Sequence, residues 1–115
     1  MFRRSLENEL KKAFKQYPVV TLIGPWQSGK STLVRHCFNQ LPYVNLEDPE
    51  TRRFVVQDPK AFLNEYPGGA IFDEIQNTPE LLSYIQVEVD KQAKNSIYIL
   101  QGAINYLYMR QFHSH

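Results

Sequence analysis

The sequence has a single cysteine, Cys37, so no intramolecular disulfide can form. A buried core thiol in a reducing compartment is the expectation for it. No stretch is long and apolar enough to span a bilayer, and Met1 to Leu10 hold no apolar run that could serve as a secretion signal. A cytoplasmic address is therefore expected, with no membrane partner. Charge of one sign is also scarce: 13 Lys and Arg against 12 Asp and Glu leave a net charge of +1, too little for a dominant electrostatic attraction to nucleic acid. Arg3, Arg4, Lys11, Lys12 and Lys15 gather near the N-terminus, where a solvated helix face accounts for them. Nothing repeats internally and no linker-like stretch divides the chain. Hydrophobic residues at 43% and charged residues at 22% place it among ordinary globular domains, and 115 residues suffice for one core.

Against that background one stretch stands out. Gly24-Pro25-Trp26-Gln27-Ser28-Gly29-Lys30-Ser31 matches the phosphate-loop pattern GxxxxGK(S/T) in full. Before it, Val19-Val20-Thr21-Leu22-Ile23 is the short β-branched run of a strand buried on both faces; after it, Leu33, Val34, Cys37 and Phe38 recur at helical spacing. Strand, glycine loop and helix form the order in which this motif works. Gly24 and Gly29 allow backbone turns that a Cβ would disfavour, so that successive N–H groups can point at a polyphosphate. The helix beginning near Lys30 aims its positive end at the same anion. Lys30 would reach the β- and γ-phosphates, and the Ser31 hydroxyl would ligate Mg²⁺. The expected nucleotide-binding set is Gly24, Pro25, Trp26, Gln27, Ser28, Gly29, Lys30, Ser31 and Thr32. The competing reading is a glycine-rich turn whose lysine is only a solvated surface charge.

Along the chain, Ser5 can cap a leader helix with Leu6, Leu10, Ala13, Phe14 and Tyr17 on one face, ending before Pro18. Gln40-Leu41-Pro42 stops the helix after the loop, and Tyr43 to Leu46 reads as a second strand. Asp48-Pro49, Asp58-Pro59 and Thr78-Pro79 each place a capping side chain before a proline at the first helical position. They predict helices over 49–57, 59–66 and 79–94, the last burying Leu82, Ile85 and Val89. Pro67-Gly68-Gly69 turns the chain into a third strand, Ala70 to Glu74, and Ser96 to Leu100 reads as a fourth, followed by a short helix over 106–112. Strands alternating with helices predict an α/β three-layer sandwich of P-loop NTPase type around a parallel sheet of about four strands. The expected organisation is a leader at 1–17, a nucleotide-binding core at 18–104 and a tail at 105–115.

The third strand ends in two adjacent acids. Asp73 is placed to hold Mg²⁺ from the strand end, and Glu74 to orient or deprotonate the water that attacks the γ-phosphate. Alone this is a weak signal, since any exposed strand end can carry acids. Downstream of a phosphate loop it reads as catalytic machinery, with Glu74 and Lys30 as the catalytic pair and Ser31 and Asp73 as the metal ligands. The absence of an Asn-Lys-x-Asp segment favours ATP over GTP.

These motifs together resemble the N-terminal ATPase domain of a bacterial and archaeal group within the AAA+ superfamily. Its members read Gly-Pro-Arg-Gln-x-Gly-Lys-(Ser/Thr) at the loop, an Asn-Leu-Glu-Asp-like segment after the second strand and Asp-Glu-Ile-Gln at the second motif. Asn45-Leu46-Glu47-Asp48 and Asp73-Glu74-Ile75-Gln76 match the latter two. The resemblance covers nearly the whole chain and implies a P-loop domain with an additional strand and a catalytic glutamate, taking ATP and Mg²⁺. There are departures. Trp26 stands where the group has arginine, and Gln101-Gly102-Ala103 follows the fourth strand where Thr-Gly-Ser is usual, leaving Gln101 as the side chain that would sense the γ-phosphate. The resemblance further implies a core cut short before a fifth strand, a helical lid and an arginine finger. Without a fifth strand, Val19 to Ile23 would be an unprotected sheet edge, so self-association is expected, with Trp26 and the segment Tyr106 to Met109 as contact residues.

Three functions stay open on this reading. The first is ATP·Mg²⁺ binding with weak or absent hydrolysis, because an arginine finger contributes about 10³ to 10⁵ in rate. The second is a degenerate remnant that serves as a self-association or interaction module. The third is a small P-loop kinase, which would need an acceptor pocket and a cationic lid that Arg52, Arg53 and Arg110 do not define. His113 and His115 are too few for a metal site.

Overall fold

A computed structural model of the chain describes residues 7–9, 11–13, 16–24, 30–92 and 97–103. Four strands, β1 (Val19–Gly24), β2 (Tyr43–Asn45), β3 (Gly69–Asp73) and β4 (Ile97–Ala103), form one sheet in the order β1-β4-β3-β2, and every pairing is parallel. The helices are α1 (Lys30–Cys37), α2 (Pro49–Gln57), α3 (Pro59–Asn64) and α4 (Leu81–Gln92), with a 3₁₀ turn at Ile75–Asn77. This is an α/β three-layer arrangement, with β4 standing between β1 and β3.

The strands alternate their side chains between two separate cores, as a sheet covered on both faces requires. On one face, Ile71 and Ile99 pack with Val34 of α1 and with Phe38 just beyond it. On the other, Val44, Ala70, Phe72, Tyr98 and Leu100 meet Val55 of α2, Phe62 and Leu63 of α3 and Leu81 and Ile85 of α4. Phe62 is the hub of this larger core, its ring centroid 5.5 Å from Phe54, 5.4 Å from Tyr66 and 5.5 Å from Phe72. Phe72 continues the stack onto Tyr98 at 6.1 Å, which joins the helices to the centre of the sheet.

The capping device holds at two of its three places. Asp48 accepts from the Thr51 N–H at 3.0 Å and Asp58 from the Ala61 N–H at 3.1 Å, each before a proline at the helix start. Thr78 does otherwise: its hydroxyl is fully buried with no partner, and α4 begins three residues later at Leu81. The 3₁₀ turn Ile75–Asn77 draws Thr78 into the core, so its side chain cannot face the helix end. Consequently Leu81 and Ile85 are the buried anchors of α4, while Leu82 and Val89 pack only partly against the core.

Other boundaries move modestly. α3 stops at Asn64; β2 ends at Asn45, with Leu46 buried in the following turn; and β4 runs on through Gln101 to Ala103. Residues 7–9, 11–13 and 16 of the leader are helical, with Glu7 and Lys11 3.5 Å apart, but Tyr17 is exposed rather than on an inward face. Cys37 is half-buried against the α1-side cluster, not sealed in it. Ser5, Leu6, Leu10, Phe14 and the segment 104–115, including the expected helix at 106–112, lie outside the described residues. β1 is paired on one side only, by β4, so the expected sheet edge at Val19–Gly24 is present among the described residues.

Candidate nucleotide site at the carboxyl ends of the strands

In a parallel sheet, ligands bind beyond the carboxyl ends of the strands. Gly24 ends β1 and Lys30 opens α1, so the two described ends of the motif belong to the edge strand and to the helix that covers the sheet. Pro25, Trp26, Gln27, Ser28 and Gly29 lie outside the described residues, and for Gly24, Lys30 and Ser31 only the backbone placement is described. Thr32 is exposed on α1. The first turn of α1 has no acidic residue, while Arg35 and His36 occupy its last turn. That leaves the positive end of the helix uncompensated and the negative end complemented, the polarity an anion at the N-terminus needs.

Asp73 closes β3 on the same rim, opposite Asn45 of β2 in the register. Both of its carboxylate oxygens are engaged: Oδ1 accepts from the Glu74 N–H at 2.9 Å, and Oδ2 accepts from the Tyr43 hydroxyl at 2.5 Å. The chain turns sharply at the next residue. Glu74 has φ 59° and ψ 44°, the left-handed region, and is the only non-glycine residue with positive φ among those described. A residue without a flexible backbone in that region is strained by roughly 1–2 kcal/mol. The turn is held by an Asn77 side-chain bond to the Glu74 carbonyl at 3.1 Å and by Gln76, whose Nε2 donates to Glu74 Oε1 at 2.7 Å. Glu74 therefore leaves the strand direction instead of extending it, and its carboxylate is oriented by its own motif.

Gln101 is the third polar group of the rim. Its side chain is 4% exposed, faces the same side as Asp73, and its Oε1 has no partner. A buried unpartnered acceptor costs about 1–3 kcal/mol unless something fills it, so the position suits a hydrogen-bond donor such as a bound water. Next to it, Gly102 faces the opposite way, and a Cβ there would come within 2.5 Å of Gln76 Oε1 and 3.1 Å of Ile75 Cγ2. Glycine at 102 thus leaves the room that Gln76 uses.

The residues fit a magnesium nucleotide better than a protein-caged metal. Among the described residues no group of three or more His, Cys, Asp or Glu could hold an ion. Mg²⁺ usually takes one or two carboxylates and completes its shell with phosphate oxygens and water, and the oriented Asp73 carboxylate is a group that could hold it in this way. Two residues escaped the sequence reading. By its residue type Tyr43 reads only as part of a strand, although its place two residues before Asn45 on one face of β2 marks it as a rim neighbour of Asp73. The motif pattern gives Gln76 no task of its own.

The fold and this rim define the P-loop type of α/β nucleotide-binding domain. The family model described as an AAA domain matches residues 16–115, and the chain belongs to that family. Among curated proteins it is similar to the uncharacterized protein Mb2031c of Mycobacterium bovis and the uncharacterized protein Rv2008c of Mycobacterium tuberculosis, each 32% identical over 105 residues. Those matches cover 88% of this chain but 23% of each relative, so the chain spans about a quarter of the length of these curated relatives. No solved structure matches it. Membership of the family supports nucleotide binding, and no helix among the described residues is long and apolar enough to cross a membrane.

Proposed function

We propose that the chain is an ATP·Mg²⁺-binding domain with weak or no hydrolysis on its own. The observation that carries this is the alignment of Gly24, Asp73 and Gln101 on one rim, with the loop bearing Lys30 and Ser31 entering a helix whose first turn has no acid. Lys30 and the loop N–H groups, with Gly24 to Thr32 as the binding set, hold the polyphosphate. Ser31 and Asp73 hold Mg²⁺, which neutralises the phosphate charge when bound. Glu74, restrained by Gln76, orients the attacking water, and Gln101 Oε1 accepts a hydrogen bond from a water of the same site. Lys30 and Glu74 are the catalytic pair. The core at 18–104 carries this work, with the leader at 1–17 and the tail at 105–115 flanking it in a cytoplasmic protein.

The test uses Trp26, the sole tryptophan, inside the loop. Its fluorescence should change saturably during an ATP·Mg²⁺ titration and stay flat in Lys30→Ala. No change in the unmodified chain, together with no calorimetric heat, would sink the reading and leave an interaction module.

A second observation favours self-association. Among the described residues the one-sided pairing of β1 lies beside a groove of about 590 Å³ walled by Val19, Leu82, Ile85 and Leu100, with Thr21, Ser83 and Gln86 as its polar members. An edge strand continuous with a partly apolar groove is a template for another chain, and a second copy of this chain is the proposed occupant. A sedimentation profile of a pure monomer at tens of micromolar, with or without ATP, would remove this proposal.

A further inference from the structure

Asp73 is held from two directions, and one of them comes from outside its own segment. The Glu74 N–H reaches Oδ1 from the following turn, whereas the Tyr43 hydroxyl reaches Oδ2 from β2 at 2.5 Å. Tyr43 pairs with Ile71 in the register, so Tyr43 and Asp73 are diagonal neighbours on one face, a separation that an aromatic side chain spans. Each carboxylate oxygen has two acceptor directions. With these two donors on its two oxygens, the plane of the carboxylate is fixed.

The tyrosine is itself anchored. The Arg35 guanidinium carbon lies 4.0 Å from the centroid of the Tyr43 ring, which seats the ring by a cation–π contact. Arg35 belongs to α1, the helix whose first turn is Lys30 and Ser31. One ring therefore touches both the helix that begins at the phosphate loop and the acid at the end of β3.

We propose that Tyr43, seated by Arg35, is a positioning residue for the Asp73 carboxylate and so sets the Mg²⁺ requirement of nucleotide binding. The inference rests on the ATP·Mg²⁺ reading above. Packing alone does not account for a hydroxyl at position 43: phenylalanine would fill the same space against Arg35 and Leave Ile71 covered, but it would give Asp73 no donor. Removing such a supporting hydrogen bond typically lowers metal affinity by about 10- to 100-fold.

The experiment measures ATP binding to the full chain by calorimetry across a MgCl₂ series, for the unmodified protein, Tyr43→Phe, Asp73→Asn and the double variant. Tyr43→Phe should raise the Mg²⁺ concentration at half-effect by about tenfold. Its affinity for ATP in EDTA should stay within about twofold, and it should have no further effect in the Asp73→Asn background, because the two changes act through one group. Arg35→Met should shift the midpoint in the same direction by less, and it decides the matter if Tyr43→Phe does not fold. Equal midpoints for the folded variants and the unmodified protein overturn the positioning role while the nucleotide reading stands. An equal loss of ATP affinity with and without Mg²⁺ overturns it too, since that is a structural effect. An unmodified chain that binds no ATP at any Mg²⁺ concentration overturns both.

Discussion

Gln76 donates its side-chain N–H to the Glu74 carboxylate across 2.7 Å, from within the same 3₁₀ turn that forces Glu74 into the left-handed region. The acid expected to meet water is thus both strained in its backbone and restrained in its side chain. Such outliers persist where the surroundings over-determine them. Replacing Glu74 by alanine or by glycine removes the Gln76 bond equally, so the difference between the two isolates the backbone. Glu74→Gly should be the more stable by roughly 1 kcal/mol, the reverse of the usual order, in urea unfolding.

Gly102 and Gln76 should behave as one unit. A methyl group at 102 meets the far end of the flexible Gln76 side chain, which can shift only by leaving its place beside Glu74. Gly102→Ala and Gln76→Ala are therefore expected to change ATP turnover to the same extent, with the double variant no different from either. Additive effects in a phosphate-release assay would show that the two positions act separately.

Gly68 and Gly69 make a sharper contrast. A Cβ at 69 would run into the Ile97 backbone of β4, and Gly69 has φ +99°, whereas nothing lies within 4 Å of a Cβ at 68. Gly69→Ala should lose cooperative unfolding or fall by more than about 2 kcal/mol, and Gly68→Ala should stay within about 0.5 kcal/mol. Thermal denaturation of the pair reads this directly.

The Asp48 cap predicts a pH dependence. Bonds from the Thr51 backbone N–H, then from the Thr51 hydroxyl, hold its carboxyl below the ordinary value of 3.8, with Arg52 adding a smaller pull against a minor desolvation effect. A depressed folded-state pKa contributes stability above the unfolded pKa and loses it as pH falls through the folded one. The stability gap between the unmodified protein and Asp48→Ala should be constant above about pH 5 and shrink as pH falls below 3.8. A gap independent of pH down to acid unfolding would contradict the assignment.

Phe62 carries the larger core. Fully buried among Phe54, Tyr66 and Phe72, it should cost about 3–5 kcal/mol as Phe62→Ala. A loss below 1 kcal/mol in urea would mean that α3 is not integral to the fold.

What the sequence disclosed was local. Val19 to Ile23 declared a strand by its run of apolar side chains, but not one buried on both faces: at the sheet edge Val19, Val20 and Leu22 are only half-buried and Thr21 is exposed. The Asp-Pro pairs declared helix starts because the cap is made within four residues. Asp73 was legible at its strand end for the same reason. Thr78 misled because its neighbour Ile75 is buried, and the core's demand on that turn outweighs the hydroxyl's preference for a helix end. Tyr43 was not legible as part of the site, since its bond to Asp73 joins residues thirty apart in sequence and depends on the register of β2 against β3. Glu74 likewise looked like the last residue of a strand, because no pattern of residue types announces a left-handed glutamate.

The sheet order β1-β4-β3-β2 has a consequence for how the molecule comes into being. β1 and the next strand in sequence, β2, stand at opposite edges of the sheet, and β1 finds its neighbour only in β4, the last strand described. On the ribosome the strand that precedes the glycine loop emerges early and waits, unpaired, while the remainder of the sheet is made. Closure of that long loop comes late, so the rim on which Gly24, Asp73 and Gln101 meet does not exist in any shorter intermediate. A nascent chain released before Ala103 would present its most apolar strand to whatever chaperone or neighbouring chain is at hand.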